Sequence, residues 1–303
     1  MSAPTIAIIA AGAMGSGVAR RLTSAGVSVL TNLDGRSSST RKRAQDAGMR
    51  DTPFAELPRA EIMLSILPPS DAEALAKRYL EAWHSSGSSN PKSSEAGPIY
   101  VDCNAVSPKT VKEIASLFEG SGIRFVDAGI IGGPPSEGYD PVFYASADDA
   151  AALEAFQSLG QHGLKISSLT GEGVGIGDAS ALKMSYAGIT KGLSGLITTM
   201  VLSAHASSPA TATALMKELH SSQPLLLKRA VKGIPSMMPK AYRWVGEMNE
   251  ISDFVGGPMG SVHKGMAAVF ERVEQSLDED GEDKRVLERF VKDAKDLLEN
   301  DSK

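Results

Sequence analysis

Residues Thr5 to Gly26 read TIAIIAAGAMGSGVARRLTSAG, and their reading decides the fold class. An apolar run of strand length (Ile6, Ala7, Ile8, Ile9) meets a turn of small residues, Ala10 to Gly15. A helical pattern follows, with Val18 and Leu22 on one face. Strand, tight turn and helix are what a dinucleotide-binding loop requires. The helix N-terminus and its backbone N–H groups meet a pyrophosphate, and missing Cβ atoms let the phosphates approach. Gly12 and Gly15 keep two glycines of a G-x-G-x-x-G pattern, and Ala10 stands where the first belongs. An ordinary strand-to-helix turn satisfies the same spacing, so the rest of the chain must decide.

A chain of 303 residues with 42% hydrophobic and 22% charged residues is of globular composition and long enough for two domains. Its net charge of −5 argues against nucleic acid as a partner, since phosphate backbones need a cationic surface. The single cysteine, Cys103, excludes an intrachain disulfide and a thiolate metal cluster, which suits a reducing compartment; the expected location is the cytoplasm. No run of eighteen apolar residues and no basic segment ahead of an apolar one occurs, so neither a membrane span nor an export signal is expected. His84, His162, His205, His220 and His263 are scattered without ligand spacing, and no metal site is expected.

Up to about Thr170 the chain alternates strands and helices. Strands are expected at Val27–Thr31, Glu61–Leu67, within PIYVDCNAV, in IRFVDAGII, in VFYASA and in KISSLT. Helices are expected over Arg36–Arg50, Asp71–Trp83 (with Ser70 as N-cap), Lys109–Glu119 and Asp149–Leu159. This grammar gives a doubly wound, mostly parallel sheet. The Ser/Gly/Pro-rich stretch His84–Pro98 reads as a mobile insertion. Around Gly171 a glycine-rich joint, GEGVGIGDAS, leads into residues 171–303, which read as all helix. Leu182, Tyr186, Ile189, Leu193, Leu196 and Met200 form an apolar stripe on one long helix, whose only charges are Lys183 and Lys191. Gly188, Gly192 and Gly195 within it suggest another backbone packed closely against it. Such a helix is buried, either inside the domain or by a second subunit; a homodimer through the helical domain is the expectation. From Asp278 the chain is acidic, with Val286, Leu287, Phe290, Val291, Ala294, Leu297 and Leu298 on one face of a final amphipathic helix.

Three further segments carry chemistry. After the second strand, Asp34 lies near where an acid would take a ribose 2′-hydroxyl, but Arg36, Ser37, Ser38, Arg41 and Arg43 crowd the same turn. Arginines and hydroxyls suit a 2′-phosphate, which favours NADP(H) over NAD(H), though a solvated basic helix start reads alike. In VDAGIIGGPP, the strand ends at Gly132-Gly133, which could turn bare N–H groups to a substrate oxygen or simply make a turn. Lys183, a lone lysine on a charge-poor helix, is either paired, for example with Glu247, or functional. Burial and a cationic nicotinamide would lower its pKa towards a value useful for proton transfer. Tyr186 and Thr190 follow one and two turns on, on the same side of the helix.

Taken in order, these segments resemble the β-hydroxyacid dehydrogenase superfamily, which includes 3-hydroxyisobutyrate dehydrogenase-like enzymes and 6-phosphogluconate dehydrogenase. The resemblance covers about the first 195 residues. Ala10–Gly15, with Gly12, Ala13, Met14 and Gly15, is similar to the family's cofactor loop G-x-G-x-M-G. Leu67-Pro68 resembles the Leu-Pro that closes over the cofactor. Asp102, Asn104, Ser107 and Pro108 resemble the D-x-S-T-x-S-P turn beside the nicotinamide, and Asp127–Gly133 the substrate motif D-A-P-V-S-G-G. Lys183 falls on the family's catalytic lysine. The helical remainder, including KAYRWVGEMNEI, resembles a branch with a distinct C-terminal domain of unassigned function. Ile131 stands where the motif has serine, Ala187 where asparagine is usual, and Thr190 where the phosphogluconate enzyme has its glutamate acid. Decarboxylation of a sugar acid is therefore not expected.

The resemblance implies a Rossmann-type domain over 1–170 and an all-α domain over 171–303, with the active site in the cleft between them. It implies an NADP(H)-dependent oxidoreductase acting on a small hydroxy or keto substrate, with Lys183 as general acid and base. Asn104, Gly132, Gly133, Tyr186 and Arg243 would contact substrate. Gly12, Ala13, Met14, Gly15, Arg36, Ser37, Leu67, Pro68 and Asn104 would contact the cofactor. Two alternatives stand beside it: an imine reductase of the same superfamily, and a sensor that binds NADP(H) without turnover.

Overall fold

In a computed structural model that describes residues 4–86, 97–278 and 281–300, the chain divides into two compact units, Met1–Met184 and Ser185–Lys303. The first opens with β1 (Thr5–Ile9), α1 (Ala13–Ser24), β2 (Ser28–Thr31), α2 (Ser38–Asp46) and a two-residue β3 (Arg50–Asp51). It continues with β4 (Ile62–Ser65), α3 (Pro69–Ser85), β5 (Ile99–Asp102), α4 (Pro108–Ser116) and β6 (Arg124–Ile131). β7 (Val142–Ser146), α5 (Ala150–Gln157) and β8 (Lys165–Ser168) complete the sheet, whose order is β3-β2-β1-β4-β5-β6-β7-β8. Neighbours are parallel except β6 and β7, which pair antiparallel, Ile131 opposite Val142.

Helices cover both faces, and β1 records this in its sequence. Ile6 and Ile8 point into one core with Val18, Ala19 and Leu22 of α1; Ala7 and Ile9 point into the other with Leu57, Ala76 and Tyr79. A strand buried on both faces reads as an unbroken apolar run, each fully buried isoleucine contributing roughly 1.5–3 kcal/mol. The expected N-cap at Ser70 is displaced. Pro68 occupies the cap and Pro69 the first turn of α3, where a missing N–H costs no helix bond. Residues 87–96, most of the predicted insertion, lie outside the described residues.

α6 (Asp178–Ser207) is the long helix, and Pro209 ends it by starting α7 (Pro209–Ser222). α8 (Pro224–Met237), α9 (Ala241–Val255), α10 (Gly257–Asp278) and α11 (Glu282–Asn300) follow. The final helix buries Val286, Leu287, Phe290 and Ala294, as its periodicity predicts. The stripe on α6 is only partly covered, Leu182 and Leu193 being half-buried. Tyr186, Ile189, Leu196 and Met200 are exposed, Ile189 to 72%. The helix glycines meet side chains, not a backbone. Gly188 faces Ile251 and His263, Gly195 faces Met266 and Phe270, and a Cβ on Gly192 would meet nothing within 4 Å. No helix among the described residues is long and apolar enough to cross a membrane.

Candidate functional site

The strand order reverses at β1, with β2 on one side and β4 on the other, and such a reversal opens a crevice beyond the strand C-termini. The N-terminus of α1 sits there. Its N-cap is Gly12, in extended conformation, with no side-chain cap and no acid in the first turn. By contrast Ser37, Ser107 and Asp149 cap α2, α4 and α5. The amide donors and positive dipole end of α1 thus face the crevice with neither a side-chain cap nor an acid in the helix's first turn. A Cβ on Gly12 would meet nothing within 4 Å, whereas one on Gly15 would run into the Ala10 carbonyl oxygen. Gly15 is therefore required by the tightness of the strand-to-helix turn, and the space over Gly12 suits a group arriving from outside. Ala13 is exposed, and Met14 is half-buried and packs against the core. These residues fit a pyrophosphate.

The loop after β2 is braced from within. Arg41 donates to the carbonyls of Leu33 (2.6 Å) and Arg36 (3.2 Å), and Arg43 to that of Ala11 in the glycine turn (3.4 Å). Ser37 caps α2 by accepting from the Thr40 N–H (3.3 Å), and Asp34 accepts from the Asn32 amide (2.9 Å). Arg36 and Ser37 are exposed at the head of the loop.

Asn104 joins the loops after β4 and β5. Its Oδ1 accepts from the Leu67 N–H (2.6 Å), and its Nδ2 donates to Ser65 Oγ (2.8 Å) and Asp102 Oδ2 (3.0 Å). With 3% of its surface exposed, Asn104 fixes Leu67 and, through it, Pro68. Asp102 is fully buried, and desolvation pushes its carboxyl up to about 7 against the two Asn104 bonds that favour the carboxylate.

β6 carries the lysine's seat. Asp127 accepts from the N–H groups of Gly177 (3.0 Å) and Ser180 (2.9 Å) and from the Ser180 hydroxyl (2.8 Å), capping the first turn of α6. Burial pushes this carboxyl up to about 6, opposed by those same bonds. Ser146 accepts from the Ala179 N–H (3.0 Å) and fixes the same turn. Two residues along β6, Gly129 leaves no room for a side chain: a Cβ would lie 2.9 Å from the Ala179 carbonyl and 3.0 Å from Lys183 Cβ. Lys183, brought against the strand in this way, donates from Nζ to the Ile130 carbonyl.

Beyond Ile131 the chain turns at Gly132, whose φ of 130° suits glycine. The Gly133 N–H, expected to be bare, donates to the Tyr139 hydroxyl (3.2 Å). The loop is fastened to α1: Arg21 Nε meets Asp140 Oδ1 (2.6 Å), Arg21 Nη2 donates to the Ser136 carbonyl (2.6 Å), and Pro135 packs against Gly17. Sequence reading misses this fastening and the capping role of Asp127, because neither leaves a local periodicity. A pocket of about 550 Å³ lined by Lys112, Phe118, Phe125, Asp148 and Ile176 contains none of the expected site residues.

In the second unit, Glu247 is engaged by Lys191 and, at 3.9 Å, by Arg243, so the acid considered for Lys183 serves other cations. Lys191 also lies 5.4 Å from the centre of the Trp244 ring. Tyr186 is half exposed, Ala187 is buried, and the Thr190 hydroxyl donates to the Tyr186 carbonyl (2.9 Å).

Comparison with known proteins places the chain. Residues 5–171 match the NAD binding domain of 6-phosphogluconate dehydrogenase, and residues 206–273 match a domain of unknown function (DUF1932). A search of the curated proteins finds no match. Among solved structures, the conserved protein MTH1747 of unknown function, described as structurally similar to 3-hydroxyacid dehydrogenases, is 29% identical. Its TM-score is 0.64, with 90% of this chain and 98% of that one covered. The 3-hydroxyisobutyrate dehydrogenase of Mycobacterium tuberculosis, solved with L-serine, is 16% identical with a TM-score of 0.60, covering 91% of this chain and 99% of that one. An imine reductase from Myxococcus stipitatus in complex with NADP+ is 16% identical with a TM-score of 0.51, covering 95% and 100%. With the cofactor crevice, the β6 motif and the family match in agreement, the chain belongs to the family defined by the NAD binding domain of 6-phosphogluconate dehydrogenase.

Proposed function

We propose that the protein is an NADP(H)-dependent oxidoreductase acting on a small hydroxy or keto compound, with Lys183 as its general acid and base. The observation that carries the reading is the seat of Lys183, held by Gly129 and the Ile130 carbonyl at the C-terminal end of β6. When bound, the nicotinamide supplies the two-electron chemistry. Gly12, Ala13, Met14 and Gly15 would hold the pyrophosphate by backbone donors, and Leu67-Pro68, set by Asn104, would contact the cofactor. Arg36 and Ser37 at the exposed head of the β2 loop take the 2′-phosphate. An ammonium has three donors, so Lys183 can hold the Ile130 carbonyl and a substrate oxygen together. In the reductive direction it gives a proton to that oxygen; in the oxidative direction the neutral amine takes the hydroxyl proton. The exposed apolar stripe on α6 supports a second copy of the chain as partner, giving a homodimer.

Fluorescence titration with NADPH and NADH, on wild type and Lys183→Ala, tests this reading alongside turnover of 3-hydroxyisobutyrate, ketones and imines. Lost turnover with unchanged NADPH affinity in the variant supports it. Tighter NADH binding sinks the cofactor preference. A wild type that binds NADPH and turns over no carbonyl but reduces imines, or turns over nothing, points instead to the imine reductase or to the sensor.

A further inference from the structure

We infer that the cavity lined by Lys112, Asp148 and Asp178 is a binding site for a free α-amino acid with an apolar side chain. It lies wholly within the first unit, and its lining holds none of the residues assigned above to cofactor or substrate. At about 550 Å³ it has the volume of a small-molecule site. Three charged side chains converge there on three consecutive residues of the glycine-rich joint. Asp178 accepts from the Gly175 N–H (2.8 Å), and Asp148 from the Ile176 N–H (2.9 Å). Lys112 lies over Gly177, where a Cβ would fall 2.8 Å from its Cε and 3.6 Å from its Nζ. With a φ of 107° as well, position 177 needs glycine both for its backbone and for the room it leaves the lysine.

Each aspartate uses one oxygen on the joint and keeps the other, Oδ2 of Asp148 and Oδ1 of Asp178, for a cation. Consecutive Cα atoms lie about 3.8 Å apart, so the three seats span at most about 8 Å. Both signs of charge thus meet in one cavity, which suits a zwitterion better than an ion of either sign. In an α-amino acid the ammonium and the carboxylate hang on one carbon, and a hydrogen bond of about 2.8 Å at each end covers such a span. The ammonium then meets the aspartates and the carboxylate meets Lys112, all through charge-assisted bonds. The side chain has an apolar wall to lie against. Phe118 and Phe125, with ring centres 5.8 Å apart, line the same cavity, as does Ile176. A small inorganic ion would leave that wall wet and one sign of charge unanswered. The joint ends at Gly177, whose N–H Asp127 holds, so the site borders the foot of α6.

The test is calorimetric titration of the full chain with L-phenylalanine, with phenethylamine, which lacks the carboxylate, and with 3-phenylpropionate, which lacks the ammonium. L-phenylalanine should bind saturably at one site, and each analogue about ten- to hundredfold more weakly, the range for a hydrogen bond to a charged group. Lys112→Met keeps the apolar stem and removes the charge; Asp148→Asn keeps an oxygen for the Ile176 N–H. Each should weaken L-phenylalanine by the same about ten- to hundredfold. Lys112 is exposed, so its replacement should leave the melting temperature within about 2 °C and carries the test even where Asp148→Asn disturbs the joint. A wild type that does not bind L-phenylalanine overturns the inference. Equal affinity for phenethylamine overturns it too, by making the cavity a site for cations. So does an affinity that Lys112→Met leaves unchanged, which puts the amino acid elsewhere.

Discussion

Replacing Gly129 by alanine puts a methyl group where β6 and α6 touch. The new Cβ would lie 2.9 Å from the Ala179 carbonyl oxygen and 3.0 Å from Lys183 Cβ. Relaxed contacts need about 3.5–4.0 Å, so the helix must back away by ~0.5–1 Å. It cannot do so freely, because Asp127 and Ser146 hold the N–H groups of Gly177, Ala179 and Ser180 at its foot. Overpacking of this kind costs about 1–3 kcal/mol. In a unit spanning Met1–Met184, with a melting shift of about 2–4 °C per kcal/mol, the loss in Tm is about 2–12 °C. Moving Lys183 by that distance lowers turnover by roughly 100-fold. NADPH affinity should hold, since β4 and β5 stand between β1 and β6. Calorimetric melting, NADPH titration and 3-hydroxyisobutyrate turnover measure the three effects. Gly133→Ala is the stability control, because a Cβ there meets nothing within 4 Å. A Gly129→Ala protein that melts with wild type would refute the steric argument.

Three other outcomes are expected. Lys191→Met leaves Glu247, among the described residues, with the more distant Arg243 in a site where the partners of the pair are 15% and 11% exposed, and should cost about 3–5 kcal/mol, towards the low end. Adding Glu247→Leu should restore most of it in the same melting assay; an unaffected single variant contradicts the argument. Asp102 and Asp127 are raised to about 7 and about 6, above the unfolded value of about 3.9, so the folded protein keeps protons that the unfolded chain has released. Their contribution is complete below about pH 4 and is lost as pH rises through about 6–7. Asp127→Asn, whose amide can serve the same Ser180 and Gly177 partners, should therefore gain in Tm relative to wild type as pH rises from about 4 to about 6; a difference that stays constant across that window would dismiss the linkage. Arg36→Ala should weaken NADPH binding by about 1–3 kcal/mol and leave NADH unchanged, whereas equal losses on both count against a 2′-phosphate contact.

The elements legible in the sequence are those whose signal is local. β1 reads as an apolar run because helices cover both sides of the sheet, and α11 reads from its amphipathic face. The glycine turn at α1 is legible because its geometry admits few residues. What escapes reading depends on partners far along the chain. Arg21 and Asp140 are 119 residues apart, and nothing near either announces the pair. Asp127 falls in a recognisable motif, but its work as the cap of α6 appears only once residues 177–180 are folded onto β6. The internal bonds of Asn104 to Leu67, Ser65 and Asp102 leave no trace in the sequence either, since they answer to its burial, which demands that its polar atoms find partners. The charge-poor stripe of α6 has the pattern of a buried face. Tyr186, Ile189, Leu196 and Met200 are apolar yet exposed, and periodicity cannot tell an exposed apolar face from a buried one.

The fastening of the Gly132–Pro141 loop to α1 also binds the histories of two distant segments. A Cβ on Gly17 would lie 2.8 Å from Pro135 Cδ, so a larger residue at 17 demands a different one at 135. Loss of the Arg21 cation strands the Asp140 carboxylate, so neither can change alone without cost. Among descendants of a common ancestor, positions 17 and 135, and 21 and 140, should therefore be exchanged in pairs. Selection acting on the substrate loop will leave its mark on the cofactor helix.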